Sequence, residues 1–399
     1  VSHLIDQKDR LEVAALTLKA AQNAKSETAF ETALTYIKFG YSLLPSLSWT
    51  THYSLRFDIG KLPAELLFIC KQTDSAASEC NSLINNAKTT FEKASIYYMQ
   101  LIQYTVIGKL EIAINKGLVG VDLLGSKISE KPSSLNVLKE LMFNRTLLLK
   151  RDISKLIDYP LITDPKKILL CHFFRRMGPP TKMLGKVNLQ VLLLIKEINQ
   201  YLRFGHTPES SIAYAAFAVF ISNATLNNLN ESYKLGKLAH SLHDKIGFYD
   251  KKAEFLFLYA LNQFWNQSWE NILIYGSEIR TIGFQSGTLT PVALTQILMP
   301  YWNTQQNLEK AIQTGKKSLS ITQKIGNTQA YNTILIEQQF RLSLQGKTKT
   351  PICLTDDSFN ETDFIKKHEN SQGVAITAYY LSKSILYYTF EDYRNSELY

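Results

Sequence analysis

Small residues recur at matching places inside stretches whose apolar positions are spaced by three and four. In Asp9 to Lys25 the apolar residues Leu11, Ala14, Ala15, Leu18 and Ala21 fall on one face of a helix, with polar residues between them. The pattern repeats to the end of the chain, a long periodic stretch followed by a short Gly, Asn, Asp or Pro break. No segment alternates with period two, so a β-sheet of three or more strands is not expected. Among the helices this spacing predicts are 27–44, 49–71, 134–156, 165–176, 208–224 and 371–398, with Ser26 and Thr28 as caps for the helix 27–44. Gly and Pro are sparse, 18 and 11 in 399 residues. An all-β chain of this length would need many more turn residues.

Within the helices the small residues keep a common spacing: small, four on, three on, then a breaker five on. Ala33, Ile37, Gly40 and Pro45 fit it; so do Ala113, Gly117, Gly120 and Gly125, with Gly108 in the tight turn before them. Ser232, Gly236, Ala239 and Asp244 give a third copy, and Ala311, Gly315 and Ser318 a fourth that fades at Gln323. A glycine inside a helix costs ~1 kcal/mol relative to alanine, so something offsets it. The expected offset is a neighbouring helix backbone crossing closely at Gly117, Gly236 and Gly315, as in stacked helix pairs. The fold class expected is therefore all-α, a tetratricopeptide-like α-solenoid of antiparallel helix pairs. It would be one continuous region over 1–399, subdividing as N-terminal repeats 1–130, a less regular middle 131–225 and C-terminal repeats 226–399.

Several stretches resemble the helical region that follows the AAA-type ATPase domain in large bacterial and fungal signalling proteins. Those proteins begin with a serine/threonine kinase-like domain and end in a sensor histidine kinase or a cyclase. Thr28 to Leu55, with Trp49, His52 and Tyr53, looks like the family's paired helices, and Lys93 to Gly125 like the next pair. Leu156 to Leu170 resembles its Leu-Pro-x-Met-Thr-Asp-Pro turn, with Ile162 in place of the Met; Tyr201 to Phe220 resembles its Gly-(x)-Ser-(x)-Ala-Tyr segment. The resemblance implies a cytoplasmic interaction and regulatory segment beside kinase and ATPase domains. Val1 in place of an initiator Met agrees with a segment of a longer protein. The alternative is a free-standing scaffold, or a secreted bacterial effector that binds a protein in the host cytosol.

Chemistry-bearing constellations are few. GxxxxGK[ST] is absent, and so are kinase and histidine-kinase motifs. No catalytic residue, cofactor or metal is expected. His240 and His243, three apart, lack a third ligand nearby; Cys171-His172 runs into Phe173 and Phe174, as in a packed helix. Thr163-Asp164-Pro165 reads as a helix start, Asp164 capping and Pro165 in the first turn. The four cysteines form no CxxC pair, which fits a reducing compartment. The net charge of +9 is spread over short clusters such as Arg175-Arg176 and Lys316-Lys317, so nucleic acid is not the expected partner. No stretch reaches the ~18 apolar residues of a membrane span. The expected partner is a protein or peptide, within the same molecule or outside it. A groove for it is sought at two aromatic stripes, Trp265 with Trp269 and Tyr379 with Tyr387.

Overall fold

In a computed structural model of the chain, residues 6–45, 48–149, 151–247, 249, 251–264, 269–304, 307–368 and 374–399 are described. They are overwhelmingly helical and contain no strand; the one isolated bridge joins Leu161 to His206. The chain divides into two compact units, one of residues 1–152 with 158–207, the other of 153–157 with 208–399.

The first unit holds α1 (Gln7–Ser26), α2 (Phe30–Leu43), α3 (Ser48–Thr51), α4 (Tyr53–Ile69), α5 (Thr73–Asn86), α6 (Thr90–Val106), α7 (Leu110–Leu123), α8 (Ser134–Leu149), α9 (Pro165–Met183) and α10 (Val187–Phe204). Consecutive helices pack as hairpins, α1 on α2, α4 on α5, α6 on α7 and α9 on α10. Each hairpin leans on the next through α2 with α4, α5 with α6 and α7 with α9. The second unit holds α11 (Ser210–Phe217), continued by a π turn at Ala218–Asn223, then α12 (Leu229–Ile246), α13 (Lys252–Phe264), α14 (Trp269–Ser286), α15 (Leu289–Thr304), α16 (Leu308–Ile325), α17 (Thr328–Leu344), α18 (Glu361–His368), α19 (Val374–Thr389) and α20 (Tyr393–Leu398). Here too hairpin follows hairpin: α11 with α12, α13 with α14, α15 with α16, and α17 with α19. The fold is all-α, with the succession of helix pairs that characterises an α-solenoid inside each unit.

Local chemistry explains most helix ends. Thr89 accepts from the Glu92 N–H at 3.1 Å, while Glu92 accepts from the Thr89 N–H at 2.8 Å, a closed capping box at the start of α6. Asp164 accepts from the Lys166 N–H at 2.9 Å with Pro165 in the first turn of α9, as the sequence suggests. Gly108, at φ +75°, makes the turn between α6 and α7.

The differences are equally physical. Neither Ser26 nor Thr28 caps α2: the Ser26 hydroxyl donates back to the Asn23 carbonyl, and Thr28 takes the left-handed turn at φ +60°. The helix expected over 49–71 breaks at His52, that over 134–156 ends at Leu149 before a 3-10 turn at Ile153–Asp158, and that over 371–398 breaks between Thr389 and Tyr393. Conversely, α9 does not stop at 176 but runs through Pro179 and Pro180 to Met183. Gly178, which has no Cβ to collide with the Pro179 ring, removes part of the conflict that normally ends a helix before proline.

Candidate functional site

The repeat positions come first, because they were the sharpest expectation. Ala33, Ile37 and Gly40 on α2, Ala113, Gly117 and Gly120 on α7, Ser232, Gly236 and Ala239 on α12, and Ala311, Gly315 and Ser318 on α16 are all buried. Pro45 lies just past α2, half-buried. Asp244 and Gln323 are not breakers: α12 and α16 continue past them to the left-handed Gly247 and Gly326.

What fills the space at the glycines is side chain, not the crossing backbone expected. A Cβ on Gly117 would stand inside 3.0 Å of the Met177 side chain, and one on Gly120 inside 3.0 Å of the Phe173 ring, both from α9. At Gly236 the collision is with Asn262 of α13, and at Gly315 with Gln338 of α17. These two amides do more than fill space. The Asn262 amide donates to the Ser232 carbonyl at 3.0 Å and the Ser232 hydroxyl at 2.8 Å. The Gln338 amide donates to the Ile312 carbonyl at 3.1 Å, and in the first unit Gln103 of α6 donates to the Ala64 carbonyl of α4 at 3.0 Å. A helical carbonyl keeps a second lone pair after its intrahelical bond. At Ser232 and Ile312 a glycine one turn on, Gly236 or Gly315, lets the neighbouring amide reach it; Ala64 has no such glycine. These amide residues carry no sequence signature of their own; only their partners' glycines do.

The aromatic stripes fare differently. Trp265 and the side chain of Trp269 lie outside the described residues. Tyr379 does not line a groove: it is buried, donating to Glu361 at 2.7 Å. Its hydroxyl stays protonated far beyond the usual range because burial and the Glu361 carboxylate both oppose ionisation. Lys383 pairs with the same carboxylate at 2.9 Å and also donates to the Ile352 carbonyl. Burial acts to raise the Glu361 pKa, but the Leu354 N–H, Tyr379 and Lys383 outweigh it and hold the carboxyl below its ordinary value. Tyr387, half-buried, stacks on Tyr399 at 5.3 Å. These contacts form a knot tying α18, α19 and the segment before α18, with Tyr379 inside it and Tyr387 at its edge.

The histidine pair is structural in the same sense. His240 meets Asp244 at 3.0 Å, and His243 lies buried, stacked on Phe255 with centroids 4.1 Å apart. Among the described residues no three His, Cys, Asp or Glu side chains gather as metal ligands, and no helix is long and apolar enough to cross a membrane.

The next feature is α8, whose exposed side is apolar and whose one fully buried residue, Asn144, is polar. Its exposed side carries Leu135 (75 % exposed), Leu138 (50 %), Met142 (61 %) and Leu149 (81 %). At 100° per residue these four fall within an arc of about 60°. The opposite side, centred on the fully buried Asn144, rests on α10 through polar bonds. Asn144 donates to Asn199 at 2.8 Å, Asn199 donates to Glu140 at 2.7 Å, and Lys196 pairs with Glu140 at 2.8 Å. Val137 alone of its apolar residues joins the neighbouring apolar core. Leu141, Leu147 and Leu148 on the same inward side are half-buried, so the polar bonds to α10 fix this helix together with modest apolar burial. α19 also carries an exposed apolar stripe, Val374, Leu381, Ile385 and Tyr388, but there it lies opposite an apolar buried face. Periodicity alone marks both faces of α8 as helical and does not say which one turns inward.

No family model matches the chain. Among characterised proteins it is similar to hybrid signal transduction histidine kinase G of Dictyostelium discoideum, 21 % identical over 274 residues. That match covers 60 % of this chain but only 8 % of the kinase, so the chain corresponds to a small part of a very long signalling protein.

Proposed function

We propose that the chain is a non-catalytic interaction and regulatory segment of a multidomain signalling kinase or ATPase, reading a partner's presence through helix-pair packing and passing it to catalytic domains elsewhere in the same molecule. The observation that carries the reading is α8: a helix held in place by polar bonds while presenting an unburied leucine and methionine stripe to solvent. An exposed apolar stripe of this kind marks an interaction site in a soluble protein. The likeness to a histidine kinase supports a signalling setting, and the absence of a phosphate-cradling loop or kinase motif in the sequence supports a binding role over catalysis.

The test is the open reading frame on either side of this segment. A Walker A motif upstream, or a histidine-kinase or cyclase domain downstream, supports the reading. A complete short gene coding for this chain alone overturns it in favour of a free-standing scaffold or effector.

A further inference from the structure

We infer that the outward face of α8 seats one amphipathic helix with acidic flanks, contributed by a protein partner. The inference rests on the interaction reading above and names the chemistry of what is bound.

The spacing comes first. Leu135, Leu138, Met142 and Leu149 follow one another at three, four and seven, spanning about four turns, or ~21 Å at 1.5 Å per residue. That is the anchor pattern by which one helix lies along another, and its narrow arc matches the seam of a helix pair.

Charge then selects the partner. Lys139 lies on the same side of α8 as the stripe, and Lys127 and Lys131 precede the helix; all three are exposed, and among the described residues only Lys131 has a carboxylate beside it, Glu130. The one acidic residue on α8, Glu140, faces α10 and is held by Lys196 and Asn199. Glu130 is likewise taken by Lys186 at 2.6 Å. Between Lys139 and α10, a cavity of about 420 Å³ is lined by Lys127, Lys139, Phe143 and Leu192, together with Lys196 and the Glu140 carboxylate already paired to it. A carboxylate side chain on the flank of a docked helix would enter it. The edge of the stripe is therefore cationic with its own carboxylates spent, so the complementary helix carries Asp or Glu beside its apolar seam.

A second copy of the chain fits poorly, since two α8 faces would bring their Lys139 side chains together. An anionic membrane also likes apolar-plus-basic helices, but it takes a broad apolar face with aromatic anchors. This stripe is narrow, and the one exposed aromatic of α8, Phe143, stands off it beyond Lys139.

The experiment titrates the whole chain into a fluorescent synthetic helix with a leucine seam and glutamate flanks. The comparison probes are the same helix with lysine flanks and phosphatidylserine vesicles; sedimentation of the chain alone reports self-association. Saturable micromolar binding of the glutamate helix, at least tenfold tighter than the lysine helix, is expected. Leu138→Ser with Met142→Ser should weaken it at least tenfold, and Lys139→Glu should shift preference towards the lysine helix, with unfolding unchanged in both. Equal binding of the two helices, binding indifferent to these changes, capture by vesicles alone, or a dimer abolished by the serine pair each overturns the inference. If the peptide fails while the reading frame encodes kinase or ATPase domains, the proposed function stands and only this use of α8 falls.

Discussion

Replacing Gly236 by alanine should destabilise the second unit, although the same change stabilises an exposed helix. The new Cβ would stand inside 3.0 Å of both Oδ1 and Cγ of Asn262, whose side chain is fully buried. Asn262 must then rotate out of its bonds to the Ser232 carbonyl and hydroxyl. Two hydrogen bonds at ~1 kcal/mol each are lost, and overpacking costs about 1–3 kcal/mol more. Against this stands a gain of ~1 kcal/mol in helix propensity. The losses win by about 2–4 kcal/mol, and Gly236→Leu does worse. With Asn262→Ala already in place nothing collides, and Gly236→Ala should stabilise by up to ~1 kcal/mol. The reversal of sign within one double-mutant cycle is the test, read by denaturant unfolding together with hydrogen exchange at α12 amides. If Gly236→Ala stabilises in both backgrounds, Asn262 does not occupy the glycine and the packing argument is wrong.

Other consequences follow from the same structure. Burial holds the His243 pKa below the ordinary 6.5, against the pull of Asp244, with Lys252 and His240 acting in the same downward sense. The unfolded chain therefore takes up the proton first: this stability is full above pH about 6.5 and is lost as pH falls through the lower folded value. His243→Phe should flatten that part of a pH–stability curve, and an unchanged curve would count against it. Glu361→Gln leaves buried Lys383 without its carboxylate and should cost about 3 kcal/mol or more; calorimetry showing a negligible change would refute the knot as described. Burial pushes the Cys80 thiol up to about 12, so Cys80 should resist iodoacetamide at pH 8 while half-buried Cys70 and Cys353 react, as peptide mapping would reveal. Titration with ATP and magnesium should give no saturable heat.

The helical class and the buried small-residue register were legible because both are written in spacing, which the chain shows directly. Gly117, Gly236 and Gly315 announce close packing by their cost alone. What presses on them was not legible, since Met177, Asn262 and Gln338 are brought there by tertiary packing from residues 23 to 60 positions away. Counting aromatic residues misplaced Tyr379: its ring belongs to the core and its hydroxyl to Glu361, a pairing that no stripe on a helical wheel displays. The α8 surface was missed for a related reason. Periodicity assumes that one face is apolar and turns inward, whereas α8 is apolar on both sides and Glu140 and Asn144 take the buried contact with Asn199. An amphipathic helix whose polar residues include amides that can pair across a helix contact is the only hint a sequence could offer.

The most direct test of a docking role for α8 is oxidative footprinting of its methionine. Met142 is 61 % exposed and Met183, on α9, is 72 % exposed. In the isolated chain hydrogen peroxide should convert both to the sulfoxide at similar rates. With the glutamate-flanked leucine helix bound, Met142 should be protected several-fold while Met183 continues to react. Equal oxidation of the two methionines in that complex would contradict the account.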